Sequence, residues 1–181
     1  MSLYTKPITG ECTEYFEGYL SHLAQDSRDV LVILEQQALQ IQKGLQNISD
    51  QLADHRYEPN KWSVKEVIGH LIDTERLFAF RALWIARSET NVQPGMDENL
   101  WATSSNAHSR DARDIAEEFV ASRTSHLHLF RSFDEEAISR KGLSAGTNTT
   151  VNVIPWLMAA HERHHLKVLS ERYGVDFLGS Q

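Results

Sequence analysis

No stretch of this chain alternates apolar and polar residues with the period of two that a half-buried strand requires. Four long stretches instead repeat their apolar residues at three- and four-residue spacing, the period of a helix with one buried face. The cleanest runs from Ser63 to about Arg87. It opens on Ser63-Val64-Lys65-Glu66, a capping box in which the Ser63 hydroxyl and the Glu66 carboxylate satisfy each other's free backbone amides. Val64, Val67, Ile68, Leu71, Phe78, Ala82 and Ile85 then form its stripe. The other three run from about Ser27 to Asn47, from Asp111 through Phe130, and from near Thr150 to Tyr173, where Gly174 supplies a stop. Tyr15, Phe16, Tyr19, Leu20 and Leu23 add a shorter amphipathic helix ahead of them. The pattern predicts an all-α fold: a four-helix bundle with an extra short N-terminal helix and a long loop, residues 88–110, between the second and third bundle helices.

Several details follow from the same pattern. Residues 1–12 read as an irregular lead-in, Asp134 to Arg140 as a turn, and Gly142 to Asn148 as a loop by composition. Gln36, Gln37, Gln40 and Gln42 fall mostly off their stripe and read as solvated. Tyr57 is placed to pack back on the bundle. Pro155 lies late for a first-turn proline and leaves the start of the last helix open.

At 181 residues the chain is expected to be one domain, 1–181, with a substantial core. A net charge of -7 and the lack of any Lys/Arg cluster argue against nucleic acid and anionic membranes as partners. Cys12 is the single cysteine, so no intrachain disulfide can form. The N-terminus lacks the apolar run of a signal peptide, and no segment approaches the ~18 apolar residues that span a bilayer. The expected setting is cytoplasmic.

Chemistry concentrates in Ala160-His161-Glu162-Arg163-His164-His165-Leu166. On a helix His161 and His165 lie about 40° apart, and Ile154, Leu157 and Val168 share their stripe, so both imidazoles face inward. They read either as core histidines bonded to carbonyls or as two ligands of one metal. A metal needs a third donor. His70, on the flank of its stripe between Val67 and Leu77, supplies a candidate; Asp73, one turn on, is within reach as an outer partner for an imidazole N–H but reads first as part of a solvated face. Three neutral imidazoles would leave the +2 charge of an ion undiminished, so a water or thiol in its open position would be strongly acidified. Imidazole suits zinc and nickel alike. His164, about 60° from His161 on the other side, could replace His165 as ligand. His126 also faces inward, whereas His22, His55, His108 and His128 read as surface residues. Glu75, Arg76 and Arg81 share the helix of His70 and either orient an anionic substrate or form surface ion pairs.

Lys61-Trp62-Ser63-Val64-Lys65-Glu66-Val67-Ile68-Gly69-His70-Leu71-Ile72-Asp73-Thr74-Glu75-Arg76 resembles the DinB superfamily, as does Ala160-His161-Glu162-Arg163-His164-His165 with Glu171-Arg172-Tyr173 behind it. Pro94-Gly95-Met96-Asp97-Glu98-Asn99 resembles the same subgroup, with Met96 where an aromatic is more usual. The resemblance spans roughly Tyr15 to Tyr173. It implies a DinB/YfiT-like four-helix bundle, commonly a homodimer, and a divalent metal ion held by His70, His161 and His165, leaving His164 to line the pocket or act in proton transfer. From their own positions, His126 reads as a core or pocket histidine and Arg76 as a pocket residue or a surface ion pair. The resemblance also implies a small-molecule substrate. Activities in the superfamily include S-transferases and an isomerase that use low-molecular-weight thiols, and metal-dependent hydrolases. Thiol S-transfer is the first expectation and hydrolysis the alternative.

Two further readings use the same residues. His161-Glu162-Arg163-His164-His165 fits the zinc-protease helix, with Glu162 as general base. Glu162 points toward the polar flank on the helical wheel, however, and the extended motif fails at Val168 and Glu171. The other reading is a non-catalytic, metal-stabilised bundle that binds a small molecule or a partner.

Overall fold

In a computed structural model, which describes residues 3–89, 91–144 and 146–177, the four long helical patterns are α2 (Val30–Asn47), α4 (Val64–Ala86), α6 (Ala112–Arg131) and α8 (Val153–Tyr173). The short N-terminal helix is α1 (Glu14–Leu20), which tightens into a 3₁₀ turn over Ser21–Leu23. An Asp, Ser or Thr side chain accepts a backbone N–H at the start of each of these helices except α8. Ser63 and Glu66 form the full capping box, with the Ser63 amide donating to Glu66 Oε2 at 2.7 Å.

Around the bundle, α2 packs on α6 and α8, and α4 packs on the same two helices. Consecutive α2 and α4 therefore stand diagonally, and α4 and α8 are neighbours. α1 lies against α8. None of the helices is long and apolar enough to cross a membrane among the described residues.

The connections carry more structure than their composition suggests. Asp50–Ala53 forms α3, Glu98–Ser104 forms α5 inside the long 88–110 segment, and Glu135–Ser139 forms α7 where a turn was expected. Within the 142–148 segment expected as a loop, of which residue 145 lies outside the described residues, β1 (Lys141–Ser144) and β2 (Thr147–Thr150) pair as an antiparallel hairpin, with Gly142 opposite Thr149. Strands of four residues are too short to display a period of two. Gly142 also lacks the side chain that would announce a buried strand; a Cβ there would stand 2.6 Å from Ile85 Cγ1. Pro155 is the third residue of α8, where its missing N–H would have had no helical partner, so the helix starts cleanly.

The core is two clusters, one at each end of the bundle. One gathers Leu34, Phe78, Leu127, Phe130 and Ala160; the other gathers Ala38, Ile72, Phe119 and Leu166. Between them lies a polar layer to which all four long helices contribute, through Gln37, Glu75, Arg123 and Glu162, all buried. Arg123 donates to Glu75 Oε1 at 2.7 Å, to Glu162 Oε2 at 2.5 Å and to the Leu34 carbonyl, and Gln37 Nε2 donates to the Ala159 carbonyl at 2.9 Å. Gln37 is thus buried rather than solvated: a wheel drawn for a helix with one partner underestimates the face that two neighbours cover.

Candidate metal centre

α4 and α8 bring three imidazoles together at the level of this polar layer. His70 Nε2 lies 3.3 Å from His161 Nε2, and His165 Nε2 lies 3.1 Å from the same atom. All three donor atoms fall within 4.8 Å of one another. Four ligands placed tetrahedrally at about 2.0–2.1 Å from a zinc ion are separated by about 3.3 Å, so the separations from His161 to His70 and to His165 match two edges of such a site. The donor chemistry fits too. An imidazole nitrogen has one in-plane lone pair or one N–H, so His161 Nε2 can hydrogen-bond one of its neighbours but not both. A cation between the rings satisfies all three.

Burial keeps the rings neutral and their lone pairs available. His70 is 5% exposed, and burial pushes its pKa down to about 4. Burial, reinforced by the charge of His70 and His164, pushes His161 down to about 3; burial, reinforced by His161, His70 and His164, holds His165 well below the ordinary histidine value.

The surroundings fix the rings. Trp62 packs on His70 with centroids 4.8 Å apart, and Thr74 Oγ1 lies 3.4 Å from His70 Nδ1. Tyr19 of α1 packs on His161 at 5.4 Å and His164 at 5.1 Å. Sequence reasoning missed all three. Thr74, at four residues past His70 on the same face, carried a legible signal. Asp73, read first as solvated and second as an outer partner of His70, faces Arg76 at 3.6 Å. A cleft of about 300 Å³ opens onto the imidazoles, lined among others by Tyr19, Trp62, Phe78, Arg81, Met96 and Glu98.

The remaining sequence candidates divide. His164 is half-buried beside His165, with ring centroids 5.2 Å apart, but its Nδ1 lies 3.4 Å from His22 Nε2, outside the trio. His22 is accordingly half-buried, not a free surface residue. His126 Nδ1 lies 3.1 Å from Glu75 Oε1 and belongs to the charged layer. Arg76 is exposed and bonds Glu118 Oε1 at 2.6 Å, which makes it one of the surface ion pairs. Glu162 is buried, contrary to its expected place on a polar flank. The first two turns of α8, Val153 to Ala160, are buried all round, and Glu162, directly after them, stays on the side turned to Arg123. Burial pushes the Glu162 pKa up to about 7 against the opposing pull of Arg123. Its bond to Arg123 commits it to the core, which removes the general base that the zinc-protease reading needs.

A family model described as the DinB superfamily matches residues 33–169, and so takes in both α4 and the histidine cluster of α8. The chain belongs to the DinB superfamily. The solved structure of YfiT from Bacillus subtilis, described as "a probable metal-dependent hydrolase with an unusual four-helix bundle topology", superposes with a TM-score of 0.68 at 18% identity, covering 94% of each chain. At that identity the likeness speaks for the bundle. No curated protein matches the chain.

Proposed function

We propose that this DinB-superfamily protein is a metal-dependent S-transferase that joins a low-molecular-weight thiol to a small electrophile, with zinc or nickel held by Nε2 of His70, His161 and His165. The observation that carries this reading is the convergence of three neutral Nε2 atoms at one wall of an aromatic cleft. A divalent ion bound there supplies Lewis acidity and an open position in which a thiol loses its proton near neutral pH.

The chain's own residues do the rest. Trp62 and Thr74 orient His70, and Tyr19 closes the opposite side over His161. Tyr19, Trp62, Phe78 and Met96 exclude water and offer polarizable surface to a sulfur and an apolar electrophile. His164 and His22, 3.4 Å apart, provide a route for the released proton away from the cleft. Glu98, the carboxylate on this lining, is exposed, a setting suited to solvent contact rather than to holding a water as general base. The description of YfiT favours hydrolysis as the second reading, with water in place of the thiol.

The test is turnover of chlorodinitrobenzene by zinc- and nickel-loaded protein, with and without cysteine, glutathione or mercaptoethanol. Thioether formation that requires both thiol and metal, and that vanishes in His161→Ala, is the expected result. Release of chloride without thiol would favour the hydrolase. A fully loaded protein inert toward every thiol would leave a binding module.

A further inference from the structure

Arg81 stands on the same face of α4 as His70. Eleven residues turn about 1100° around a helix, within about 20° of three full turns, and Thr74 and Phe78 fall between them on that face. The cleft floor therefore runs from an imidazole at one end to a guanidinium at the other. Phe78 sits between them, its ring 6.4 Å from the His161 ring and 5.9 Å from the Arg81 guanidinium carbon.

Arg81 differs from the other buried arginine. Arg123 is clasped by two carboxylates. Arg81 is also buried, at 5% exposed, yet among the described residues it forms no ion pair. Its Nη2 donates to the Pro94 carbonyl at 3.1 Å, and its Nε–H has no acceptor. Glu98 lines the same cleft but forms no ion pair with Arg81 among the described residues. A guanidinium cannot escape the problem by losing its proton, and a buried cation without a counter-charge is costly. The donors left over match a carboxylate, which takes a guanidinium edge through two parallel N–H···O bonds.

We infer that Arg81 is the anion-binding end of the cleft, and that the small molecule taken there carries a carboxylate separated by an apolar body from the atom that reacts beside the histidines. This names the substrate class of the site and rests on the proposed function for what happens at the other end. The carboxylate can belong to the electrophile or to the thiol.

Isothermal titration with matched pairs separates these sources. Phenylbutyrate against phenylbutanamide represents an electrophile's body, and mercaptopropionate against mercaptoethanol represents the thiol. Both pairs are titrated into metal-free and zinc-loaded full-length protein, so that a contact common to each pair cancels. The expected result is that one pair shows a preference of about tenfold or more for the carboxylate in both forms, lost in Arg81→Met and partly kept in Arg81→Lys. The pair that shows it identifies the source. Equal affinities within both pairs, or a preference that survives Arg81→Met, would overturn the inference; the latter would put the carboxylate on the ion. If Arg81→Met does not fold, the Arg81 Nε–H resonance of ¹⁵N-labelled wild type decides: it must shift with the carboxylate and stay in place with its neutral partner. An Arg81-dependent preference in a protein without thiol turnover would keep the anion site and discard the S-transferase, so the two failures are distinguishable.

Discussion

An imidazole offers one donor atom in one direction, so a three-histidine site stands or falls on where three ring nitrogens point. Here Nε2 of His70 and His165 both aim at Nε2 of His161. His164 Nδ1 lies toward His22 instead. Elemental mass spectrometry of tag-free protein should therefore find near-stoichiometric metal in wild type and in His164→Ala. The metal should be lost in His70→Ala, His161→Ala and His165→Ala, since two imidazoles hold an ion far more weakly than three. Metal lost in His164→Ala but kept in His165→Ala would reassign the third ligand. The sequence brought these residues within reach because His161 and His165 share a face and His70 flanks a stripe. It could not decide between His164 and His165, which differ by one position on the same helix; the placement of Tyr19 and His22, both upstream of α2, separates them. Glu162 was misread for the same reason. Its surroundings are set by Arg123 and Glu75, residues far away in the chain.

Among the elements, α4 carries His70 and Arg81 on one face, and its N-terminus is anchored by the full capping box of Ser63 and Glu66. Glu66 is 6% exposed, accepts the Ser63 amide, and pairs with Arg56 at 2.6 Å. Burial alone would raise its pKa, but the bonds from Arg56 and the Ser63 amide outweigh burial and hold it below the ordinary carboxylate value. A carboxyl group with a lowered folded-state pKa stabilises the fold above its unfolded value, about 4.3, and that stabilisation is lost as pH falls through the folded value. Glu66→Gln should accordingly cost about 1–2 kcal/mol at neutral pH in urea unfolding. The gap to wild type should shrink below about pH 4. A gap that stays constant with pH would show that shape, not charge, is what Glu66 contributes. The capping box was legible because it is local, four residues in a row. The hairpin was not, since β1 and β2 are short and are defined by pairing with each other and by Gly142 lying against Ile85.

At the scale of the whole molecule, the polar layer poses the sharpest question, because four buried polar groups interrupt what could have been a continuous apolar core. Replacing such a layer by apolar groups is often neutral or stabilising, whereas removing one charged member leaves the others unpaired. Periodicity places helices in a bundle but leaves their relative height and rotation to be set by contacts. Arg123 of α6 reaches α2, α4 and α8 at once, through the Leu34 carbonyl, Glu75 and Glu162. Glu162 is next to His161 in sequence, and Glu75 is next to Thr74. Through Arg123 the layer thus links α8 to α4 near the three imidazoles. Arg123→Met should destabilise the fold by about 3–5 kcal/mol, because two buried carboxylates lose their cation. Combining it with Glu75→Gln and Glu162→Gln removes those charges and should restore most of that loss, as measured by urea unfolding of metal-free protein. If the layer sets the register of α8, the restored triple variant should still bind zinc more weakly than wild type in competition with a chromogenic chelator, though none of the three residues is among the three ligands. Wild-type affinity in the triple variant would mean that helix packing alone positions the imidazoles, and that the charged layer serves only its own members.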